Sequence, residues 1–487
     1  MASQPLHHAS LTVAVLTLDG DALRRHDAGG EPRRAVSYTT MPNQENLDRL
    51  REDAVGIFQA ALRAVDPIRV IESQLHLQNS HLVVQDRSFD LDAFERIFVI
   101  GAGKASGSMA LAVENLLGDR ITGGCINVKV GHGAPVESIE IVEAGHPIPD
   151  AAGLEGTRRI LDLLAQTSER DLVLCLLSGG GSALLPCPAE GVRFDEKQET
   201  TQILLRCGAT IHEINAIRKH ISRVKGGNLA RWASPATLVS LILSDVVGDD
   251  LDSIASGPTV PDGSTFRDCW RIIEKYGIES ELPRTVRQRL EMGLHGDIEE
   301  TPKEGDPAFD RTWNAIIGNN LLAVTTARER AQQLGYQTLV LSTMIEGEAR
   351  EVAKVHAAIA KEIRKSQQPV APPVCVISGG ETTVTIRGSG LGGRNQEFVL
   401  EAAVELQGWP AIVLLSAGTD GTDGPTDAAG ALADGQTIKR AAALGLDPVE
   451  YLRENDSYHF FEALGDLLKT GPTRTNVMDL RLFLVGA

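Results

Sequence analysis

Short apolar runs alternate with amphipathic stretches of helical period along most of the chain. The runs that end in glycine or polar residues lie at 96–100, 171–177, 237–243, 312–317, 337–341, 374–377 and 411–415. Their length is that of buried strands, and helical stretches separate most of them. Strands that alternate with helices are typical of βα units. The pattern therefore predicts an α/β fold with a mostly parallel sheet.

The length of the chain predicts more than one domain. A chain of 487 residues exceeds what one ordinary hydrophobic core holds, so two domains are expected. The polar stretch EETPKEGDP is the predicted boundary. We expect one α/β domain over 41–305, with 478–487 as a candidate for its completion, and a second over 306–477. The active site is expected in the cleft between them.

Residues 1–40 differ from the rest of the chain. They mix both signs of charge and show no sustained helical period, so we interpret them as a disordered extension. Two alternatives stay open. One is an organelle transit peptide, which the acidic residues disfavour, and the other is a start of translation at Met41.

Composition narrows the range of partners. A net charge of -18 without any Lys/Arg-rich run disfavours nucleic acid and anionic membranes as partners. No apolar run approaches the roughly 20 residues of a membrane span. The six cysteines form no CxxC pair, so we expect reduced, buried thiols in a cytoplasmic protein rather than zinc ligands or disulfides. A homo-oligomer is left open.

Small and polar residues follow the predicted strands. In doubly wound sheets, ligands bind outside the carboxyl ends of the strands, so these segments are candidate walls of one site. The SGGGS segment would present several backbone amides to an anion, and a plain turn is the alternative. Its candidate residues are Ser178, Gly179, Gly180, Gly181 and Ser182.

Two cationic residues stand in glycine-rich segments. Lys104 follows the GAG of GAGKAS, which begins a dinucleotide fingerprint, but Ser106 stands where the third glycine is required. No P-loop motif occurs in the chain. Arg394 follows GLGG at an expected helix start, where the helix dipole disfavours positive charge. An arginine in that place indicates an anion to be held.

Carboxylates and amides supply further candidates. Asp245, Glu381, Asp420 and Asp423 follow predicted strands and carry the oxygen ligands that a Mg-nucleotide needs, although each alone is as readily a turn or cap former. Asn215 and Lys219 lie four residues apart on one predicted helix and so share a face. The other candidates for substrate or phosphate binding are Asn319 and Asn395.

Ordered segments over roughly 45–487 strongly resemble those of the class II glycerate kinases. These segments are GAGKAS, LSGGGSALLP, EINAIRKHIS, VKGGNLA, LILSDVVGDDLDSIASGPTV, SGGETTV, GLGGRNQE, SAGTDGTDGPTDAAGA and GPTRTNVMDL. The resemblance implies a Rossmann-like N-terminal domain, a C-terminal α/β domain of the type called MOFRL, and ATP-dependent phosphorylation of D-glycerate.

The resemblance also implies roles for individual residues. It suggests Lys104 and Arg394 as catalytic cations that neutralise the transferring phosphoryl group, with Asp245 as base or metal ligand in the same cleft. Asp420 and Asp423 would help to bind Mg²⁺ or the nucleotide, so ATP and Mg²⁺ are the expected cofactors. The resemblance favours 2-phosphoglycerate as the product, and the residues leave 3-phosphoglycerate open.

Two other functions compete with this interpretation. An NAD(P)H-dependent hydroxypyruvate reductase would oxidise NADH without ATP, and the interrupted glycine fingerprint leaves it open. A non-catalytic sensor would bind an organic acid or a nucleotide without turnover.

Overall fold

The computed structural model describes residues 44–487, and the predicted extension over 1–40 lies outside the described residues. The strands form one small and two large sheets. In chain order they are β1 (Leu75–Gln78), β2 (His81–Val84), β3 (Arg87–Asp90), β4 (Arg96–Ala102), β5 (Gly123–Lys129), β6 (Glu140–Ala144), β7 (Asp171–Leu177), β8 (Thr237–Leu243), β9 (Thr312–Gly318), β10 (Gln337–Ile345), β11 (Val374–Gly380), β12 (Ile412–Gly418), β13 (Gly430–Asp434), β14 (Leu467–Leu468) and β15 (Asp479–Val485).

The helices cover both faces of the two large sheets. They are α1 (Gln44–Ala64), α2 (Pro67–Gln74), α3 (Ser106–Leu117), α4 (Ala151–Leu164), α5 (Gly181–Leu184), α6 (Phe194–Arg206), α7 (Ile211–His220), α8 (Asn228–Ala233), α9 (Phe266–Tyr276), α10 (Arg284–His295), α11 (Asn320–Gln333), α12 (Ala349–Ser366), α13 (Arg394–Glu405), α14 (Thr437–Ala443), α15 (Pro448–Arg453) and α16 (Ser457–Leu464). None of these helices in 44–487 is both long and apolar enough to cross a membrane.

The first large sheet is parallel throughout, in the order β6-β5-β4-β7-β8-β9. Strand β7 is buried along its whole length, as its unbroken apolar sequence predicts. The strand order reverses between β4 and β7, which pair in register from Arg96 to Ala102. A crevice forms at such a switch point outside the carboxyl ends of the strands. The GAGK and SGGGS segments leave the sheet there, side by side.

The second large sheet is mixed, in the order β10-β11-β15-β12-β13-β14. Only β10 and β11 are parallel; β15 runs antiparallel to both of its neighbours, β11 and β12. The expectation of a mostly parallel sheet therefore holds for the first sheet alone. Residues 478–487 do not complete the first sheet, because their strand lies in the middle of the second. Apolar patterning shows that a segment is a strand but not which sheet receives it.

The expected division at 305/306 does not coincide with the two sheets. Strand β9 lies beyond that division, yet it pairs with β8 in the first sheet. Helix α1 lies before it, yet its apolar face packs with β12, β15 and α11 of the second sheet. Arg51 of this helix also pairs with Asp434 and Asp466. Within the described residues, the first helix therefore packs on the second sheet, the following segments form the first sheet, and the rest of the chain forms the second.

Helix α1 is expected to stabilise the second sheet through its buried face. Phe58 has no exposed surface there, so Phe58→Ala should lower the free energy of unfolding by about 3 to 5 kcal/mol. Chemical denaturation measures this loss. Gln59→Ala, on the exposed side of the same helix, is the matched control. Equal stability of the two variants would contradict the packing described here.

Candidate active site

A cleft of about 860 Å³ opens where segments from both large sheets meet. The first sheet contributes Asp245 after β8, and α7 contributes Asn215 from its middle. The second sheet contributes Glu381 after β11, and α13 contributes Arg394 as its first residue. The cleft predicted between two α/β halves is therefore present, and carboxylates, an amide and a guanidinium line it.

Arg394 is held by two carboxylates. Its Nε and Nη2 donate to Asp479 Oδ2 and Oδ1 at 2.8 and 2.9 Å, and its Nη1 lies 2.8 Å from Glu381 Oε1. Burial acts to lower the pKa of Arg394, but the Asp479 and Glu381 carboxylates outweigh it and raise that pKa. The guanidinium stays charged, and its plane is fixed by the bidentate pair.

Asp479 is fully buried and binds a second arginine below the cleft. Arg481 Nη2 donates to Asp479 Oδ2 at 3.1 Å and to Thr382 Oγ1 at 3.2 Å. Its Nε and Nη1 have no hydrogen-bond partner among the described residues. Burial acts to raise the pKa of Asp479, but Arg394 and Arg481 hold it below the ordinary value. One buried carboxylate thus serves two guanidinium groups.

Lys104 joins the switch point of the first sheet to the second half of the chain. Its backbone amide donates to the Gly179 carbonyl at 2.8 Å, which couples the GAGK and SGGGS segments. Its ammonium lies 3.2 Å from Asp420 Oδ2, while Asp420 Oδ1 accepts from Thr422. Lys104 does not itself line the cleft, but its charge lowers the pKa of two residues that do, Asp245 and Glu381.

Asp245 lies between the Lys104 segment and the cleft. Desolvation raises the pKa of Asp245 to about 6; Lys104 opposes that rise and Asp420 adds to it. Asn476 Nδ2 donates to Asp245 Oδ2 at 3.2 Å. A pKa near 6 leaves the carboxyl ionised at neutral pH yet within reach of a proton, which suits a general base.

The SGGGS segment packs around Asp245. A Cβ added at Gly179 would lie 2.4 Å from Asp245 Oδ2, and the Gly180 amide donates to the same carboxylate. Ser178 is buried and accepts from the Ala105 amide, and Ser182 Oγ bonds to Ser256 Oγ at 2.7 Å. The anion nearest to these glycines is thus a side chain of the protein itself. Helix α5, which starts at Gly181, has only four residues.

Besides Lys104, Ser178, Gly179, Gly180, Gly181 and Asp420, four more predicted site residues lie outside the lining of the cleft. Lys219 is buried and paired with Asp252 and Asp262, and Asn319 caps α11 and donates to Asp249 Oδ2 at 2.6 Å. Asn395 Nδ2 donates to Asp479 Oδ1 at 2.9 Å beneath Arg394. Asn215 and Lys219 share the predicted helix, but only Asn215 reaches the cleft.

Asp423 is the fourth of these residues, and it caps α13. Its Oδ1 and Oδ2 accept from the Asn395 and Gln396 amides at 3.0 and 2.8 Å, and only 1% of the residue is exposed. Both carboxylate oxygens thus accept hydrogen bonds from the start of the helix, and the role of Asp423 as a metal ligand stays a prediction. Within 44–487, no group of three or more His, Cys, Asp or Glu side chains is arranged to hold a metal ion.

The sequence interpretation missed Asp479, Arg481 and Asn476. Asp479 and Arg481 stand two residues apart in DLRLFLV, so they project from the same face of β15. Opposite charges at that spacing, within an otherwise apolar strand, were the available signal of a buried ion pair. Asn476 lies in the GPTRTNVMDL segment and carried no such signal.

Comparisons with known proteins agree with this architecture. Residues 53–291 match a domain of unknown function (DUF4147), and residues 374–479 match the MOFRL family. D-glycerate 2-kinase of Thermotoga maritima is 43% identical over 90% of this chain and 99% of its own length. The crystal structure of glycerate kinase from that organism has a TM-score of 0.80 at 42% identity, covering 90% of this chain and 100% of its own.

A protein of Agrobacterium vitis whose name proposes a hydroxypyruvate reductase is 44% identical over 80% of this chain and 87% of its own length. The fold matches that of a solved glycerate kinase, and together with the related kinases it defines the chain as an enzyme of the phosphotransferase class. The chain belongs to the class II glycerate kinase family.

Asp479 is expected to be the most costly residue of the cleft to neutralise. Asp479→Asn leaves Arg394 and Arg481 without their shared counter-charge, so the free energy of unfolding should fall by about 3 kcal/mol or more. Urea denaturation measures this. Asp427→Asn, which alters an exposed pair with Lys469, should leave stability unchanged. Similar small effects from both variants would refute a shared buried counter-charge.

Proposed function

We propose that this chain transfers the γ-phosphoryl group of ATP to D-glycerate and releases 2-phosphoglycerate. The observation that carries the proposal is Arg394, a guanidinium fixed by two carboxylates at the wall of a cleft that both sheets form. The glycerate kinases among its relatives support the substrate, and the relative named D-glycerate 2-kinase supports the position phosphorylated.

Positive charge around the moving phosphoryl group is the main demand of this reaction. Arg394 would supply it from the second half of the chain, and Lys104 from the switch point of the first sheet. Both cations are already paired, with Asp479 and Glu381 in one case and Asp420 in the other. Their positions are therefore set before a substrate arrives, so little reorganisation is needed during transfer.

Asp245 would accept the proton of the attacking glycerate hydroxyl. It lines the cleft, and Asn476 and the Gly180 amide orient its carboxylate. Asn215 and Ser182 line the same cleft on the first-sheet side and would contact the substrate. Ser256 Oγ, which donates to Asn215 Oδ1 at 3.1 Å, would keep the Asn215 amide oriented.

Magnesium would enter with the nucleotide, since Mg²⁺ in kinases is commonly held by one or two carboxylates together with substrate phosphates. Asp420 fits such a role, because its carboxylate is partly exposed beside Lys104. When bound, the ion would offset the charge of the phosphate oxygens. The oxygen donors near the cleft suit a hard cation, and Asp423 would be the second candidate ligand.

The name of the Agrobacterium vitis relative favours the reductase alternative. In the structure, Ser106 Oγ donates to the Leu176 carbonyl at 3.0 Å and contacts Ser178 Oγ at 3.1 Å. The position that a dinucleotide fingerprint reserves for glycine is thus filled by a bonded hydroxyl. We therefore rank the kinase above the reductase.

Phosphorus NMR of a reaction containing protein, ATP, Mg²⁺ and D-glycerate tests the function and the product together. We expect ADP and the resonance of 2-phosphoglycerate, and no turnover once EDTA removes the metal. A 3-phosphoglycerate resonance would overturn the assigned position. NADH oxidation by hydroxypyruvate without ATP consumption would overturn the kinase.

The pH dependence of kcat/KM tests Asp245. Because the ionised form accepts the proton and the pKa of Asp245 is raised to about 6, activity should rise as pH increases through about 6. Asp245→Asn should lower kcat/KM about 10²-fold or more. It should also abolish the rise of kcat/KM around pH 6, which is the acid limb of the pH profile. The Asp245→Asn variant is needed to assign the pH dependence to Asp245, because burial also raises the pKa of Asp423 to about 6.

Lys104→Met provides an electrostatic check on the same limb. The Lys104 charge lowers the pKa of Asp245, so its removal should move the midpoint to higher pH in the activity that remains. Lys365→Met, an exposed change on α12, should leave the midpoint in place. An acid limb that persists unchanged in Asp245→Asn would rule out Asp245 as the base.

A further inference from the structure

A second, smaller cavity of about 240 Å³ adjoins the cleft. Ser182 and Arg218 line both spaces, so a molecule in the cleft can extend into the smaller cavity. Two further cations, Lys197 and Lys225, line only the smaller one. We call this space the cation cavity and define it by Lys197, Arg218 and Lys225.

The three cations lack carboxylate partners. Lys197 is 7% exposed and donates to the Cys187 carbonyl at 3.3 Å; Lys225 is 1% exposed and donates to the Ser182 carbonyl at 2.7 Å and to Ser182 Oγ at 3.1 Å. Arg218 Nη2 donates to the same carbonyl at 3.4 Å. Within 44–487, no ion pair includes any of the three. Neutral oxygens satisfy their hydrogens but leave their charge uncompensated.

The titration of these groups reflects that missing charge. Burial lowers the pKa of Lys197 to about 7, with Arg218 and Arg289 lowering it further and Cys187 opposing them. Burial also lowers the pKa of Lys225, and Arg218 and Lys197 add to the effect. The pKa of Arg218 falls to about 10 through burial alone. Three cations that disfavour one another's charge have been placed around one space.

This arrangement contrasts with the rest of the cleft. Arg394 and Lys104 each pair with carboxylates of the protein, namely Asp479, Glu381 and Asp420, whereas the cations of the smaller cavity face neutral oxygens. The net charge of -18 also repels an anion at long range. Apolar walls around the cation cavity, including Pro147, Ile148 and Phe194, reduce screening by water and strengthen any ion pair formed inside it.

We propose that the cation cavity binds an anionic oxygen group, a carboxylate or a phosphoryl, of a ligand that lies in the cleft. With the proposed function, on which this inference rests, that group belongs either to glycerate or to the nucleotide. The cavity then supplies the anchoring charge, while Arg394 and Lys104 act at the reacting phosphoryl. The cavity places three cationic groups around one ligand group, whose charge would compensate theirs.

Isothermal titration calorimetry without turnover tests the proposal. Inorganic phosphate, D-glycerate and a non-hydrolysable ATP analogue with Mg²⁺ are titrated separately into the full chain and into Lys197→Met. We expect phosphate affinity to fall about tenfold or more in the variant, the scale of one lost charge-assisted hydrogen bond. The substrate whose affinity falls with it identifies the source of the group. Lys361→Met, whose ammonium pairs with Glu405, is the control and should bind as wild type.

Proton uptake supplies a readout that a structural lysine would not give. An anion beside Lys197 favours its protonated form and raises its pKa from about 7, so binding near pH 7.5 should take up protons. Titrations in buffers of different ionisation enthalpy measure this uptake. Proton uptake should disappear in both Lys197→Met and Lys197→Arg. Affinity should return in Lys197→Arg alone, because arginine supplies the charge and stays protonated throughout.

The thermal stability of ligand-free Lys197→Met also tests whether the charge of Lys197 lacks compensation. Replacing an uncompensated buried cation with methionine should leave the thermal midpoint at or above that of wild type. Wild-type affinity of Lys197→Met and Lys225→Met for all three probes would overturn the proposal. The protein could bind phosphate in a Lys197-dependent way and yet fail to phosphorylate glycerate. That result would support the anion site in the cation cavity and overturn the proposed function.

Discussion

The bidentate contact of Arg394 with Asp479 is the constraint on which the cleft depends. It ties the start of α13 to the start of β15, and through Arg481 and Thr382 it reaches the segment after β11. A carboxylate with no exposure is tolerated only because two guanidinium groups face it. Moving any one of these elements would separate charges in a region of low dielectric, where such separation is costly. The wall of the cleft is therefore stiff where Arg394 lies.

Charge compensation divides the site into two kinds of region. Around Arg394 and Lys104, the protein supplies its own counter-charges and fixes the cations in place. Around Ser182, buried cations face only carbonyl and hydroxyl oxygens. The paired carboxylates fix the orientation of Arg394 and Lys104. The cations near Ser182 keep a positive charge that can attract an anionic ligand. In a protein with 65 acidic and 47 basic residues, basic groups without carboxylate partners offset the long-range repulsion of an anion locally.

Much of this architecture could be read from the sequence, because it follows from local patterning. The strands at 171–177 and 237–243 coincide with β7 and β8, and glycine-rich exits lead to the cleft. The placement of β15 was not predicted, because an apolar run indicates a strand but does not specify which strands it pairs with. Lys219 and Asp423 were assigned to the site on residue type, whereas their burial and partners are set by tertiary contacts. Asp479 escaped notice because buried ion pairs depend on residues far apart in the chain.

The position of β15 has a consequence for biosynthesis. This strand is made after the five other strands of its sheet, yet it lies between β11 and β12 and pairs with both. During translation the sheet must stay divided until that segment leaves the ribosome, and the apolar face of α1 must wait with it. The Arg394 guanidinium also lacks its bidentate partner before then, because Asp479 lies on the same strand. The enzyme's chemistry and the closure of its core are thus completed by one late event.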